Sequence, residues 1–472
     1  MQLFLPELFL LGGSLLLFFV SLGENKGALA KNITVVIGLV LTVLCAMGIG
    51  SNGTLFFDAY KVDFFSQFFK LVIAAGLTLL TLTTGDMRGI NGRIKAEYYL
   101  FMVISTLGLV MLVSSVELLS LFIALELSSF ALYIMVPMRN EATGERMQME
   151  AGIKYIMFGV ISTGAMLFGM SYLFGLTGST YFADLVPAIQ GMGDSPVAML
   201  AVLLFMVGFF YKLAIFPFHF WVPDVYQGAA NGTTAFIASI PKIGAVAIML
   251  RIATLASPEH ASWLITILMV AAAASMLYGN LSALVQTDIK RMLGFSGIAH
   301  AGFVLLGILT LDATGFARAT YYILGYVLMN LACFLVICRV SVAGENVSRD
   351  DLKGLYKRSP FLALVLLVGM FAMAGIPPFV GFMGKFMLLA GALQAQHLTI
   401  VIIGVINTAI AIYYYLSVVR VAFTSDPGDR PAVAVDATTW ILGLALMATI
   451  VYLGVAPNQL LSYANQAVAL IM

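Results

Sequence analysis

The sequence predicts an all-α polytopic membrane protein of about fourteen spanning helices, containing two inverted five-helix repeats that each include a broken helix. Three observations carry this prediction. Of 472 residues, 61% are hydrophobic and only 10% are charged, whereas a soluble domain carries roughly 25% charged residues. Apolar runs recur that reach the ~20 residues a helix needs to cross a bilayer. Two of these runs hold prolines and glycines beside a lysine, in matching positions of the two halves.

Backbone groups in lipid must pair internally, which leaves helices or closed barrels. The apolar runs are continuous rather than alternating, which selects helices. Spans are expected at 4–22, 32–49, 62–84, 98–116, 117–137, 150–174, 196–221, 233–256, 261–279, 289–309, 316–338, 359–393, 397–424 and 436–456. The chain then divides into three N-terminal helices (1–97), a first repeat of helices 4–8 (98–256), a second of helices 9–13 (257–424), and a last helix with a short apolar tail (425–472). No linker is long enough for a soluble domain. The first run, Phe4 to Leu22, contains Glu7 and has neither a positive n-region nor a small-residue cleavage site, so it is expected to be a retained helix. Cys45, Cys333 and Cys338 form no CxxC pair and suggest neither a disulfide framework nor a metal site. A net charge of +1 without a basic tract gives nucleic-acid binding no basis.

Orientation follows from loop charge. One alternate set of loops holds Lys26, Lys31, Arg88, Arg93, Lys95, Arg139, Arg146, Lys290, Arg291, Arg339, Arg349, Lys353, Lys357, Arg358, Arg420 and Arg430, sixteen in all, and the other holds only Lys61 and Arg318. Both termini are therefore expected on the non-cytoplasmic side.

Six basic residues remain in or at the edges of spans: Lys70, Lys154, Lys212, Lys242, Arg251 and Lys385. Glu126 lies mid-span, and His219 and His300 sit in apolar surroundings. Each charge in the bilayer costs ~2.5–3.5 kcal/mol on the lenient insertion scale, so such residues must face protein or water and find partners. Burial disfavours the charged form, and a nearby opposite charge restores it. A line of such groups can therefore exchange protons when a neighbour moves. The plainer readings differ by residue. Lys70 and Lys154 lie close enough to span ends to snorkel, and Arg251 near a span end reads as structural. Glu126, Lys212 and Lys385 are too deep to snorkel, and their alternative is a Glu–Lys pair holding two helices together.

Span seven reads FFYKLAIFPFHFWVPDVYQG, with Pro217 five residues after Lys212. Span twelve reads MFAMAGIPPFVGFMGKFMLLA, with Gly375, Pro377 and Pro378 ahead of Lys385. Proline removes a backbone donor and clashes with the preceding turn, and in a membrane such breaks are tolerated where they are buried or line a cavity. Each broken helix is fourth in its five-helix unit, and because five is odd the second unit is inverted. Paired interrupted segments of this kind point to a transport path. A further break is expected in span eight at Ser239–Ile240–Pro241–Lys242, near the join between units.

The stretches DFFSQFFK (63–70), LELSSFALY (125–133), EAGIKYIMFG (150–159), KLAIFPFHFWVPDVYQGA (212–229), QTDIKRMLGFSGIAHAGF (286–303), YYILGYVLMNLACF (321–334), DLKGLYKRSP (351–360) and AGIPPFVGFMGKF (374–386) run from the third span to the twelfth. In them the chain resembles the antiporter-like membrane subunits of respiratory complex I, and the DVYQG segment points to the subunit N branch of the bacterial NADH–quinone oxidoreductases. The resemblance implies that Glu126 is the fifth-helix glutamate paired with Lys212 on the broken helix, Lys242 the central-axis lysine and Lys385 the terminal lysine of a second channel. Lys154, Lys290, His300 and His219 then become relay candidates. The family's proline-rich stretch after DVYQG is replaced here by AANGTTAF, so a more flexible approach to span eight is expected.

The resemblance also implies a proton-translocating subunit of a bacterial inner-membrane complex, with both termini periplasmic. Its partners would be peripheral subunits and other membrane subunits, including sister antiporter-like ones. No cofactor is expected on this chain: flavin, iron–sulfur clusters and quinone would belong to those partners, since no GxGxxG fingerprint or cysteine cluster is present. Two other readings use the same residues. One is a subunit of a secondary cation/proton antiporter; the other is a structural spacer whose charges only join helices.

Overall fold

The computed structural model describes residues 2–144, 146–193, 195–256 and 262–472. Among the described residues thirteen helices are long and apolar enough to cross a membrane, and the two shorter apolar helices Pro360–Ala374 and Val380–Gln394 are the halves of the expected twelfth span. All fourteen expected spans are thus accounted for. The start of the ninth span at 261, and of the second repeat at 257, lies outside the described residues.

Several span starts are set by an acidic side chain that accepts a backbone N–H of the first turn. Asp63 forms a capping box with Ser66 at the third span, and Glu117, Asp288, Asp312 and Asp436 do the corresponding work at the fifth, tenth, eleventh and fourteenth. Such caps satisfy the amides that an α-helix leaves unpaired at its start. They sit at the ends of the apolar runs.

The eighth span, Asn231–Ala253, is buried at every residue. It packs against the third, seventh and eleventh spans. The tenth and eleventh spans are nearly as enclosed, whereas the first, second, sixth and thirteenth turn most of their surface outward. This ordering puts the lysine-bearing eighth span on the axis and leaves apolar faces for lipid around it. Neighbouring spans approach closely at small residues, as membrane helices do. A Cβ added to Gly108 would fall 2.5 Å from the backbone N of Ser128, between spans four and five, and one on Gly279 would fall 2.6 Å from the Phe295 carbonyl, between spans nine and ten. These are corresponding pairs in the two five-helix units.

Three expectations need correction. The eighth span has no break at Pro241: the helix is continuous through it. Proline removes one donor, and tight packing on all sides holds the helix, with Asn330 donating to Ser239 Oγ at 3.1 Å. The approach to that span is not loose either. Residues 229–235 are buried, and Arg139 Nη1 donates to the carbonyls of Gln227 at 3.0 Å and Gly228 at 3.2 Å. Thirdly, Lys70 does not snorkel. It is fully buried, 2.7 Å from Glu7 Oε1, and donates to Tyr60 Oη at 3.0 Å.

Two elements were not foreseen. An antiparallel hairpin, Gly53–Leu55 with Tyr60–Val62, precedes the third span. The amphipathic helix Asn458–Val468 occupies the short apolar tail. Both are too short to register as membrane spans.

Candidate functional site

The broken helices share one backbone plan. In span seven, helix Pro196–Leu213 ends at Ala214, which is left-handed (φ 65°), and helix Trp221–Gly228 follows. In span twelve, Gly375 has φ 84° between the two half-helices. After each left-handed residue the chain turns back: the Ile215 N–H donates to the Phe210 carbonyl at 2.9 Å and the Ile376 N–H to the Phe371 carbonyl at 3.0 Å. Glycine meets the left-handed requirement without cost, while alanine at 214 is held there by complete burial.

Aligning the breaks on these residues shows that the two lysines are not equivalent. Lys212 lies two residues before Ala214, where the second break has Met373. Lys385 lies ten residues after Gly375, where the first break has Asp224. Lys385 reaches back across its break, and its Nζ donates to the carbonyls of Met373 at 2.9 Å and Ala374 at 3.2 Å. The unpaired carbonyls at the end of the first half-helix thus receive a cation, which suits a helix C-terminus.

Lys212 is buried, and among the described residues its Nζ has no hydrogen-bond partner. Glu126 does not form an ion pair with it. Instead Glu126 is half-buried, accepts from Thr163 Oγ1 at 2.9 Å and lines a cavity of about 480 Å³ with Phe130, Tyr133 and Leu167. The two groups thus stand beyond salt-bridge distance, while Glu126 remains close enough to act on the Lys212 charge.

On the axis, Lys242 Nζ lies 3.5 Å from Tyr326 Oη. The Tyr326 ring lies 5.0 Å from that of His300. The two nitrogens of His300 engage different helices: Nδ1 is 2.6 Å from Tyr322 Oη and Nε2 is 3.1 Å from Tyr415 Oη. Which nitrogen donates depends on the tautomer. Beyond Tyr415, the adjacent Tyr414, its ring tilted by 45° at 4.3 Å, donates to Asn280 Oδ1 at 3.0 Å, and Asn280 Nδ2 donates to Asn407 Oδ1 at 3.0 Å. Among the described residues no hydrogen bond joins this ladder to Lys385. Phe303 stands between them, its ring centre 5.1 Å from Lys385 Nζ and 6.2 Å from the Tyr322 ring.

The remaining candidates fall elsewhere. Lys154 is part-exposed and lies 2.6 Å from both Glu150 and Asp224, and Asp224 in turn binds Arg291 at 2.6 Å. This cluster sits on the side of the basic loops. Lys290 is buried and donates to the Ala229 carbonyl at 2.6 Å, so with Arg139 it caps the second half of span seven. His219 is buried against Phe216, Phe220 and Tyr278, and among the described residues neither ring nitrogen has a hydrogen-bond partner. Arg251 lies 3.7 Å from Asp63 and 4.6 Å from the Phe65 ring centre, a structural placement.

Sequence reasoning missed the tyrosines, Asn280 and Asn407, and the Glu7–Lys70–Tyr60 group. The available signal was the spacing of Tyr322 and Tyr326, four residues apart and so on one helix face. Among the described residues no group of His, Cys, Asp and Glu is placed to hold a metal ion.

An all-helical membrane fold with two broken spans and buried lysines defines an antiporter-like transport subunit. The family model described as NADH:quinone oxidoreductase/Mrp antiporter, TM matches residues 115–411. A protein named NADH-quinone oxidoreductase subunit N 2 from Opitutus terrae is 52% identical, over 96% of this chain and 95% of its own. A chain of respiratory complex I from Thermus thermophilus aligns with a TM-score of 0.83 at 30% identity, covering 97% of this chain and 98% of that one. A chain of the Mrp complex from a Dietzia species has a TM-score of 0.86 at 18% identity, covering 99% of this chain and 97% of that one, and shares the fold. The chain belongs to the NADH:quinone oxidoreductase/Mrp antiporter membrane family, among the relatives named subunit N.

Proposed function

We propose that this chain is a proton-translocating membrane-arm subunit of an NADH:quinone oxidoreductase and moves protons outward through Glu126, Lys212, Lys242 and Lys385. The observation that carries the reading is the ladder from Lys242 through Tyr326 and His300 to Tyr322 and Tyr415. A lysine that cycles between ammonium and amine, an imidazole and a phenol can, in sequence, pass a proton along. His300 is the central member of that ladder, and Lys385, across a gap from it, is the terminal group of the path. Lys154 and Lys290 serve the half-helix of span seven at the cytoplasmic end. His219, lacking a partner, stands as a relay candidate beside the first break.

The gaps in the line are where control enters. An approaching carboxylate stabilises the charged form of a lysine, and its withdrawal favours release of the proton. Glu126 and Lys212 are apart here, so closing and opening that pair would load and unload Lys212. The energy comes from redox chemistry in partner subunits, which also hold the flavin, iron–sulfur clusters and quinone. The other partners are membrane subunits, including sister antiporter-like ones. In an assembled complex, Lys212→Ala and Glu126→Ala are each expected to lower the protons moved per electron. An unchanged ratio in both would sink this mechanism.

Both termini lie on the periplasmic side of the bacterial inner membrane in this reading, supported by sixteen loop lysines and arginines against two. A C-terminal alkaline phosphatase fusion is expected to be active. A dark phosphatase fusion with a fluorescent GFP fusion at the same site would reverse the assignment.

A further inference from the structure

A cavity of about 670 Å³ opens on the basic-loop side, between the ends of the second, third, eleventh and fourteenth spans. Its size falls within the range of small-molecule sites. Its walls divide by depth. Lys31, Arg88 and Arg339 supply cations at the rim, with Asp86 and Asp436, while Val35, Val36 and Leu82 supply an apolar floor. That floor continues along the second span, where Val36, Leu39, Val40 and Val43 remain exposed.

The two acidic residues are already engaged. Asp86 binds Lys31 at 2.6 Å, and that hydrogen bond holds its carboxyl below the usual range. Asp436 caps the fourteenth span through Thr439, which likewise holds its carboxyl low. The arginines are left with capacity. Arg339 donates through Nε to Thr439 at 2.6 Å and is 3.9 Å from Asp436, and among the described residues no hydrogen bond occupies its two terminal nitrogens. They lie over Gly85, where a Cβ would fall 2.7 Å from Nη1. Arg88 is exposed and makes one long bond, 3.4 Å, to the Ser341 carbonyl.

We propose that this cavity binds the headgroup of an anionic phospholipid, its phosphate held by Arg88 and Arg339 and its acyl chains laid along the exposed face of the second span. Arginine matches phosphate oxygens with paired donors, and basic pockets between spans on this side suit anionic headgroups. The apolar wall below the cations decides for a lipid over a free anion, because an inorganic ion would leave that wall unused.

The test uses the full chain in nanodiscs of phosphatidylcholine doped with phosphatidylglycerol, with retained lipid read by native mass spectrometry. Phosphatidylglycerol should be retained in preference to phosphatidylcholine, with a loss of about fivefold for each arginine neutralised in Arg88→Gln and Arg339→Gln. Arg339→Lys should keep part of the preference. Because Arg88 is exposed, Arg88→Gln alone keeps the test open should the Arg339 variants fail to fold. Equal retention of both lipids, or retention unchanged by Arg88→Gln, would overturn the proposal. Displacement of the lipid by inorganic phosphate alone would also overturn it, by showing a free-phosphate site.

Discussion

Replacing Lys242 with methionine is expected to stop proton flow through this subunit while leaving the complex assembled. Methionine nearly matches the lysine stem in length and fits an apolar interior, so the wholly buried eighth span should keep its packing. What disappears is the amine 3.5 Å from Tyr326 Oη, the head of the ladder that continues to His300. Loss of a positioned proton-transfer group costs about a hundredfold or more in rate. Protons ejected per NADH oxidised, measured in proteoliposomes holding the whole complex, should therefore fall. Tyr326→Phe should have a smaller effect in the same direction, because the Lys242 amine itself remains. Full proton ejection in Lys242→Met would place the path elsewhere.

The second large effect is on stability and concerns a pair outside the central line. Lys70 and Glu7 are fully buried, 2.7 Å apart, and share Tyr60 Oη, which donates to Glu7 Oε1 at 2.6 Å. Breaking one partner of a buried ion pair costs about 3–5 kcal/mol, because the other charge is left uncompensated. Lys70→Met should therefore lower the thermal unfolding midpoint of the detergent-solubilised chain sharply. Glu7→Gln combined with Lys70→Met should recover most of the loss, since no charge then stays buried alone. Strictly additive single and double variants would mean that the two groups do not interact. This pair joins the first span, the hairpin and the third span, so proteolysis of the N-terminal helices gives an independent readout.

How much of this was legible beforehand differs by feature. The apolar runs located every span to within several residues, because bilayer thickness dictates length and composition together. The breaks at Pro217 and at Pro377–Pro378 were visible because proline acts locally. Pro241 misled for the same reason: its local signal was overridden by packing that encloses the eighth span on all sides. The AANGTTAF segment misled by composition, since the cations that fix its start, Arg139 and Lys290, come from parts of the chain distant in sequence.

The chain's own order of residues determined that this is a fourteen-span helical membrane protein with charges inside its spans. It also named Glu126, Lys212, Lys242 and Lys385 as the charges to watch. Only the tertiary structure decided how those charges are connected: Lys212 without a hydrogen bond among the described residues but within electrostatic reach of Glu126, Lys385 on the carbonyls of its own broken helix, and Lys242 facing His300 across Tyr326. It likewise moved Lys70 from a membrane edge into a buried pair with Glu7. The physical reason is range. Hydropathy and helix breaking act over a few residues, while a proton path or an ion pair needs side chains from different spans within about 3 Å of one another, and that proximity arises only when the helices pack.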